Sequence, residues 1–292
     1  SSSLMLVWIP SNCWRRMEET SLTFILKDIT LGQYFPGNSL VHRLDPRTKL
    51  IAVTLYIVSL FLADFFVTYA IMLAVLALAI RISKVPLRSI LRGLKPILFI
   101  AIFTALLNLF YTSGEHVLVK FWILTITLEG VFNAFFMVVR IMMLIAGTFL
   151  LTYTTSPILL TDGLESLLSP LKKLHVPIHE LSMIMSIALR FIPTLIEETD
   201  KIMSAQRARG ADFESGNLMQ RAKALIPLLV PLFISAFRRA DELAVAMECR
   251  CYHGGEGRTR LRQLKYQGRD YGVLIFFLVI TVLVGVLGHF GL

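Results

Sequence analysis

Several side chains in the second half of the chain belong to types that bind metal ions. Cys249, Cys251 and His253 place two thiols and an imidazole within five residues, and His175 and His179 have the spacing of a helical metal site. The first group lacks a fourth ligand, and a proline lies between the two histidines. The sequence therefore disfavours a metal site at either place.

Acidic and glycine-rich segments offer two further candidates for chemistry. Glu197, Glu198 and Asp200 could hold a metal-bound diphosphate, but only the Asp-Glu pair at 241–242 echoes them, so we interpret them as a solvated helix face. The glycine-rich residues 254–257 lack the Gly-Lys-Ser/Thr ending of a phosphate-binding loop. We expect no catalytic residue, metal or cofactor in this chain, and no ATP hydrolysis by it.

Two arginines stand out because they occupy matched positions. Long helical patterns over 178–209 and 217–250 align when shifted by forty-one residues, which superimposes Arg209 on Arg250. Small residues flank each arginine, so each helix end could enter a pocket on a partner, where the guanidinium fork would bind carboxylates or carbonyls. The alternative is that each arginine only stabilises the C-terminus of its own helix. The flanking residues are Ala208 and Gly210 at the first end and Cys249 and Cys251 at the second.

Composition indicates an integral membrane protein. Hydrophobic residues form 55% of the 292 residues and charged residues 17%, with a mean hydropathy of +0.69. A soluble domain of this size carries more charge. The net charge of +9 fits lysines and arginines collected in cytoplasmic loops, so it does not require nucleic acid as a partner.

Apolar stretches predict an all-α polytopic protein with about five spans. Residues 50–80 are too long for one upright span and have basic flanks on both sides, so they predict two short spans that turn near Asp64. Further spans are predicted at 96–111, 131–155 and 271–290, and the apolar run 121–128 is expected to be interfacial or packed on the bundle. Arg140, inside a span, should face the bundle. The N-terminus is then cytoplasmic and the C-terminus outside.

The predicted organisation has five parts. Residues 1–16 fit neither a signal peptide nor a span, and we interpret them as a leader derived from an expression vector. The rest comprises an N-terminal cytoplasmic segment at 17–49, four membrane helices within 50–155, a charged segment at 156–270 and a last membrane helix at 271–292. The charged segment holds sixteen Lys or Arg and thirteen Asp or Glu, too many for a membrane bundle.

At these residues the chain resembles the transmembrane T component of energy-coupling factor (ECF) transporters, related to the cobalt-transport CbiQ family. The resemblance covers residue 17 to the C-terminus. It rests on Ala-Arg-Gly at 208–210, on Cys-Arg-Cys at 249–251, and on an N-terminal motif of five residues: Asp45, Pro46, Arg47, Thr48 and Lys49. The cysteines at 249 and 251 depart from the small residues more usual in the family.

The resemblance implies a bacterial cell-membrane subunit that works without catalysis of its own. Its partners would be two cytoplasmic ABC-type ATPases, which bind ATP, and a small membrane subunit that binds a vitamin or another micronutrient. The two arginine ends would dock on the ATPases. An apolar surface of the long helices would meet the substrate subunit, with Met183, Met185, Leu229 and Phe233 as candidate contacts. In the family the partner subunit selects the transported compound, so the residues of this chain do not identify it.

Two other functions remain open at this point. A conventional ABC permease would have its own substrate path and usually one dominant coupling loop. An intramembrane lipid-modifying enzyme would need a concentrated acidic or histidine-rich cluster, which the sequence lacks.

Overall fold

The computed structural model of the protein describes residues 34–63, 65–111, 117–121, 124–170, 177–211, 213, 218–254 and 264–290. These residues form eight helices and one short hairpin, so the predicted all-α fold class is confirmed. The leader interpreted at 1–16 and the residue of the predicted turn, Asp64, lie outside the described residues. The helices are α1 Pro46–Leu62, α2 Phe66–Ser83, α3 Leu87–Tyr111, α4 Leu128–Thr154, α5 Pro157–Leu168, α6 Ile178–Ala208, α7 Leu218–Cys249 and α8 Gly268–Phe290.

The chain divides into two compact units. One comprises Gly32–Ile178 and Arg260–Leu292 and is called the core unit below. The other contains the described residues of His179–Thr259 and is called the charged-helix unit. The charged-helix unit lies inside the predicted charged segment at 156–270, whereas α5, also predicted in that segment, belongs to the core unit.

A buried apolar cluster holds the core unit together. Leu60, Met72 and Val284, from α1, α2 and α8, are fully buried and belong to one cluster. Close backbone approach contributes as well, because a Cβ added at Gly147 of α4 would lie 2.6 Å from the Tyr56 ring of α1. Large apolar side chains such as Phe99 stay exposed on the outside, as hydrocarbon-facing residues do.

Contacts between helix ends fix the directions of the helices. The Asp45 N–H, just before α1, donates to Asp270 of α8 over 2.9 Å, so these two helices begin side by side. At the same end the Lys49 ammonium donates over 2.9 Å to the carbonyl of Thr154, the last residue of α4. At the opposite end Arg140 of α4 donates over 2.8 Å to the Ala63 carbonyl, just after α1. Helices α1 and α8 therefore run together, and α4 runs against them.

Five helices of the described chain have at least 18 residues and are apolar enough to cross a membrane, and four of them lie in predicted spans. Helix α1, in the first predicted span, is one residue shorter, and its 17 residues, about 25 Å at ~1.5 Å per residue, suit the short span that was predicted. Helix α1 ends at Leu62 and α2 begins at Phe66, on either side of the predicted turn. Helix α6, predicted as a cytoplasmic coupling helix, qualifies because its first half is strongly apolar. The qualifying segments are Phe66–Ser83, Leu87–Asn108, Gly130–Thr154, Ile178–Ala208 and Gly268–Gly288.

A small hairpin precedes α4. Its strands, β1 Val117–Phe121 and β2 Leu124–Thr127, pair antiparallel. The sequence did not predict strands here, although alternating valine, isoleucine and threonine residues favour extended pairing. The run 121–128 was expected to be interfacial or packed on the bundle, and that expectation stays a prediction.

Candidate coupling sites

The charged-helix unit joins α6 to α7 through an ion pair at matched positions. Glu198 of α6 accepts a hydrogen bond from Arg239 of α7 over 2.6 Å and another from the Ser235 hydroxyl. Glu198 and Arg239 are forty-one residues apart, the same shift that aligns the two helices in sequence. The pair therefore joins equivalent positions in the forty-one-residue alignment of the two helices, which we call the internal echo. The interpretation of Glu198 as part of a solvated helix face was wrong, because its carboxylate pairs with Arg239. Glu197 is exposed, as that interpretation expects.

Apolar packing adds a second connection between the two helices. Met203 of α6, Leu228 of α7 and Phe213 between them are buried against one another. The Gln206 amide also lies 3.5 Å from the Pro227 carbonyl. These contacts stabilise the pairing of α6 and α7 before either arginine end begins.

Helix α6 ends in a Schellman motif with Arg209 as its C-cap. The Gly210 N–H donates to the Arg207 carbonyl over 2.9 Å, and the Ala211 N–H donates to the Gln206 carbonyl over 3.0 Å. Gly210 adopts a φ of 88°, the left-handed conformation that this motif requires and that glycine tolerates best. The end of α6 is thus closed by its own backbone, which leaves the arginine side chain outside the capping bonds.

Helix α7 ends in the same way around Arg250. The Cys251 N–H donates to the Glu248 carbonyl over 2.8 Å, and the Tyr252 N–H donates to the Met247 carbonyl over 3.0 Å. Cys251 takes the place of Gly210 and has a φ of 56°, which is unfavourable for a residue with a Cβ. The echo seen in sequence is therefore an echo in backbone geometry, with a strained cysteine where the first end has glycine.

Both arginine ends are accessible. Arg209, Arg250 and their flanking residues are exposed, as are the two thiols. Neither guanidinium forms a hydrogen bond or ion pair with another residue that the structure describes. Each arginine lies eleven residues beyond its member of the Glu198–Arg239 pair, a reach of about 16 Å along a helix. Two unpartnered cations thus project at equal distances from one connection.

An apolar surface covers other parts of the same helices. Met185 of α6 and Leu229 and Phe233 of α7 are about half exposed or more, at 50%, 49% and 61%, whereas Met183 is only partly exposed. Leu228, the neighbour of Leu229, is instead buried at the contact between the two helices. Three of the four candidate contacts are therefore open to a partner or to lipid.

The N-terminal motif has a structural task in the core unit. Asp45 caps α1 by accepting from the Arg47 N–H over 2.9 Å, and the Arg47 side chain returns two bonds of 3.0 and 3.1 Å to the same carboxylate. Arg47 also lies 4.0 Å from the centre of the Tyr266 ring. Burial by itself would raise the pKa of Asp45, but hydrogen bonds and charge from Arg47 hold it below its ordinary value.

The other residues of the motif are buried. Pro46 occupies the first helical position of α1, where its missing N–H costs nothing. Thr48 is fully buried. The Lys49 ammonium donates to the carbonyls of Thr154 and His42 and to the Thr155 hydroxyl, over 2.9, 3.3 and 3.2 Å. Lys49 thereby ties α1 to the end of α4.

Sequence reasoning missed the distant partners of this motif. Asp270 accepts from the backbone N–H groups of Asp45 and Gln267 over 2.9 and 2.7 Å, and it joins the starts of α1 and α8. It lies 225 residues from Asp45, so only its position before an apolar run could have suggested a capping role. Arg140 was predicted to face the bundle, and it does so by donating to the Tyr69 hydroxyl over 2.7 Å.

The described residues offer little for metal chemistry. They contain no group of three or more His, Cys, Asp or Glu side chains placed to hold a metal ion. His175, one of the paired histidines, lies outside the described residues.

Comparison with known proteins assigns the fold and its exposed helix ends to a family. A family model described as CbiQ, cobalt transport protein, matches residues 37–261. Energy-coupling factor transporter transmembrane proteins (EcfT) of Thermosediminibacter oceani and Clostridium kluyveri are 57% and 55% identical to this chain, over 251 and 258 residues. These alignments cover 86% and 88% of this chain and 94% and 96% of the relatives. The EcfT protein of Bacillus subtilis is 49% identical over 259 residues, 89% of this chain and 98% of the relative.

The chain belongs to the EcfT family.

Membership gives the coarse function directly. The chain is the transmembrane component of an energy-coupling factor transporter, a multi-pass bacterial membrane protein with a transport role rather than a catalytic one. The two arginine-bearing tripeptides at 208–210 and 249–251 lie inside the residues that the CbiQ family model matches, as does the N-terminal motif.

Proposed function

We propose that this EcfT chain transmits ATP-driven motion from two cytoplasmic ABC-type ATPases to a substrate-binding membrane subunit, for uptake of a vitamin or another micronutrient. One observation carries the proposal: two Schellman-capped helix ends present Arg209 and Arg250 in matched geometry and without a partner among the described residues. Two equal ends fit two similar ATPase subunits. ATP is bound by those subunits, and this chain needs no cofactor.

Docking would use the free guanidinium groups. A groove on each ATPase that offers carboxylates or carbonyls could pair with the planar fork, which binds such acceptors through two parallel bonds. The small flanks Ala208 and Gly210, and Cys249 and Cys251, let the helix end approach closely. Because the Glu198–Arg239 pair joins α6 to α7, a movement of the docked end of one helix would be passed to the other helix.

The substrate-binding subunit would contact the apolar surface of α6 and α7. Met185, Leu229 and Phe233 expose enough apolar area to exclude water from such a contact. Methionine side chains are flexible and adapt to different partner surfaces, so this surface also suits a subunit that moves.

We further propose that the N-terminus is cytoplasmic and the C-terminus lies outside. In the core unit α1 and α8 begin, and α4 ends, at one end of the bundle. The α2–α3 connection reaches the same end, because the Tyr153 hydroxyl near the end of α4 lies 3.4 Å from the Ser89 carbonyl. This end collects the basic residues that favour the cytoplasm: Arg43, Arg81, Lys84, Arg88, Arg92 and Lys95.

The same geometry limits what α6 does in the membrane. Since α4 ends and α8 begins at one end of the core unit, the chain between them crosses an even number of times if α4 and α8 both span. Helix α6 therefore crosses only together with a second segment such as α7. Cysteine labelling at Lys84 and at Ser113, in a chain whose Cys13, Cys249 and Cys251 are replaced by serine, tests the proposed orientation of the core unit. Labelling of both positions from the same side of sealed vesicles would contradict it.

Subunit recovery tests the docking proposal. In Arg209→Ala or Arg250→Ala, one end loses a charge-assisted contact worth about 2–5 kcal/mol, so ATPase recovery should fall while part of the assembly survives. Lysine should restore little, since it keeps the charge without the fork. Arg190→Ala and Arg238→Ala are matched controls, because they remove exposed arginines from the bodies of α6 and α7. An equal loss in the controls would show a general charge effect and reject the assignment.

A further inference from the structure

A cavity of about 410 Å³ lies inside the core unit, within the range of about 300–1,000 Å³ typical of small-ligand sites. Its walls come from α1, α2, α4 and α8 and from the segment before α1. They are almost wholly apolar, with Tyr56, Leu76, Leu150 and Phe276 as representative lining residues. Such a lining suits a hydrocarbon chain and offers nothing to a polar solute.

The cavity has a cationic end. Lys49 and Arg269 line it, and both lie in the first turns of helices that begin side by side. No carboxylate is among the lining residues. The nearby carboxylates are already engaged, because Asp45 accepts from Arg47 and Asp270 accepts from two backbone N–H groups.

The two cations are held differently. Lys49 is buried, and its ammonium donates only to neutral oxygens, two carbonyls and one hydroxyl. Arg269 is exposed, and its guanidinium has no hydrogen bond or ion pair to a residue that the structure describes. The charge of Lys49 is offset by the nearby carboxylates of Asp270 and Asp45. An anionic group at this end would therefore gain mainly from the exposed Arg269 guanidinium.

The cavity walls also belong to surfaces that face hydrocarbon. Leu78 of α2 and Phe276 of α8 line the cavity and are 50% and 44% exposed on helices long enough to span. A membrane lipid can therefore reach the cavity from the bilayer without passing through water.

We propose that this cavity binds one acyl chain of an anionic phospholipid, whose phosphate is bound by Arg269 at the end where α1 and α8 begin. The apolar walls accommodate the chain, and Arg269 favours an anionic headgroup over a zwitterionic one. The bound lipid would fill the space between α1, α2, α4 and α8 and stabilise the bundle.

Glycines on α8 supply a matched pair of variants. Gly272 lines the cavity, and a Cβ added there would meet no atom within 4 Å, so Gly272→Leu should fill the cavity without a clash. Gly268, one turn earlier, is equally open but is not among the lining residues. Gly268→Leu therefore makes the same change outside the cavity. For the headgroup, Arg269→Gln is compared with Lys265→Gln, which removes an exposed cation that does not line the cavity.

The experiment uses the full-length chain in vesicles of phosphatidylcholine with a small fraction of phosphatidylglycerol that carries a photoactivatable group near the end of one acyl chain. After illumination, mass spectrometry of peptides locates and quantifies the labelled residues. We expect labels on cavity-lining residues, strong loss with Gly272→Leu and none with Gly268→Leu. Arg269→Gln should reduce the preference for phosphatidylglycerol over photoactivatable phosphatidylcholine by about fivefold, and Lys265→Gln should not.

Competition on the unchanged protein keeps the proposal testable if Gly272→Leu fails to assemble. Unlabelled phosphatidylglycerol should compete for the cavity about fivefold better than unlabelled phosphatidylcholine with the same chains, because only the anionic headgroup gains from the Arg269 charge. Labels spread evenly over the exposed helix faces, or equal labelling by the two headgroups, would overturn the proposal. So would unchanged labelling of the cavity in Gly272→Leu.

Discussion

The N-terminal motif and the two helix ends use the same side chain in opposite ways. Arg47 returns two bonds to Asp45, lies over Tyr266, and has a side chain only 13% exposed. Arg209 and Arg250 are exposed and have no such partner among the described residues. One arginine completes a folded core, and the other two are left available.

The difference between these arginines lies in which groups at each helix end still need a bonding partner. At the start of α1, Asp45 and Asp270 supply acceptors, and the arginine is needed to balance a buried carboxylate. At the ends of α6 and α7, the Schellman bonds already satisfy the backbone, so the arginine is not needed as a cap. A family motif can therefore be either a structural connection, called the lock below for residues 45–49, or an exposed site. Only the bonding partners of its arginine distinguish the two.

The largest effect on folding is expected at the lock. Arg47→Ala leaves the Asp45 carboxylate buried without its cation, which should cost about 3–5 kcal/mol of unfolding free energy. Arg209→Ala should stay within about 0.5 kcal/mol, as exposed substitutions do. Thermal unfolding of the purified variants in detergent compares the two, with Arg43→Ala as an exposed control near the lock. Equal stability of the Arg47 and Arg209 variants would remove the distinction.

A smaller effect separates the two helix ends from each other. Gly210→Ala meets no atom but must hold a left-handed backbone, at a cost of about 1–2 kcal/mol. Cys251→Gly relieves the same strain and loses part of the gain to chain entropy, so a small rise in stability is expected. Opposite shifts in Tm for these variants check the shared geometry. A stabilising Gly210→Ala would show that the first end does not depend on the left-handed residue.

The smallest effect is the acid response of the lock. The pKa of Asp45 is lowered from 3.8 in the folded protein, so its ion pair contributes fully above that pH and is lost as the pH falls through the lowered value. The free energy of unfolding should therefore decrease below about pH 4, and the decrease should be shallower in Asp45→Asn. Measuring the difference between the two proteins at each pH isolates this carboxylate from the others. Parallel pH curves would contradict the role given to Asp45.

Much of the charged-helix unit could be predicted because its signals are local. The sequence predicted helices at 178–209 and 217–250, and the structure has them at Ile178–Ala208 and Leu218–Cys249. A proline before the first helix and a glycine after it set these limits. The forty-one-residue echo then gave the equivalence of Arg209 and Arg250, which the matched capping bonds confirm.

The remaining features depend on tertiary contacts that no local pattern contains. The Asp45–Asp270 bond joins residues 225 positions apart, and the acidic group at Glu198 could not be distinguished from a solvated face without its Arg239 partner. Hydropathy and charge correctly predicted two short helices over residues 50–80, on either side of residue 64. The charges in the second half of α6 led to its placement in the cytoplasmic segment, although that helix is apolar enough to cross a membrane.

The most direct test of the coupling account is recovery of the ATPases with Arg209→Ala, Arg250→Ala and the double variant, at matched membrane levels of the chain. If the two docked ends help each other, the double change should lose the ATPases by more than the product of the single losses, because once one end is docked the other acts at high effective concentration. Insertion and thermal stability should not change. Full recovery of two ATPase subunits with the double variant would contradict the account and leave both arginines as exposed helix caps.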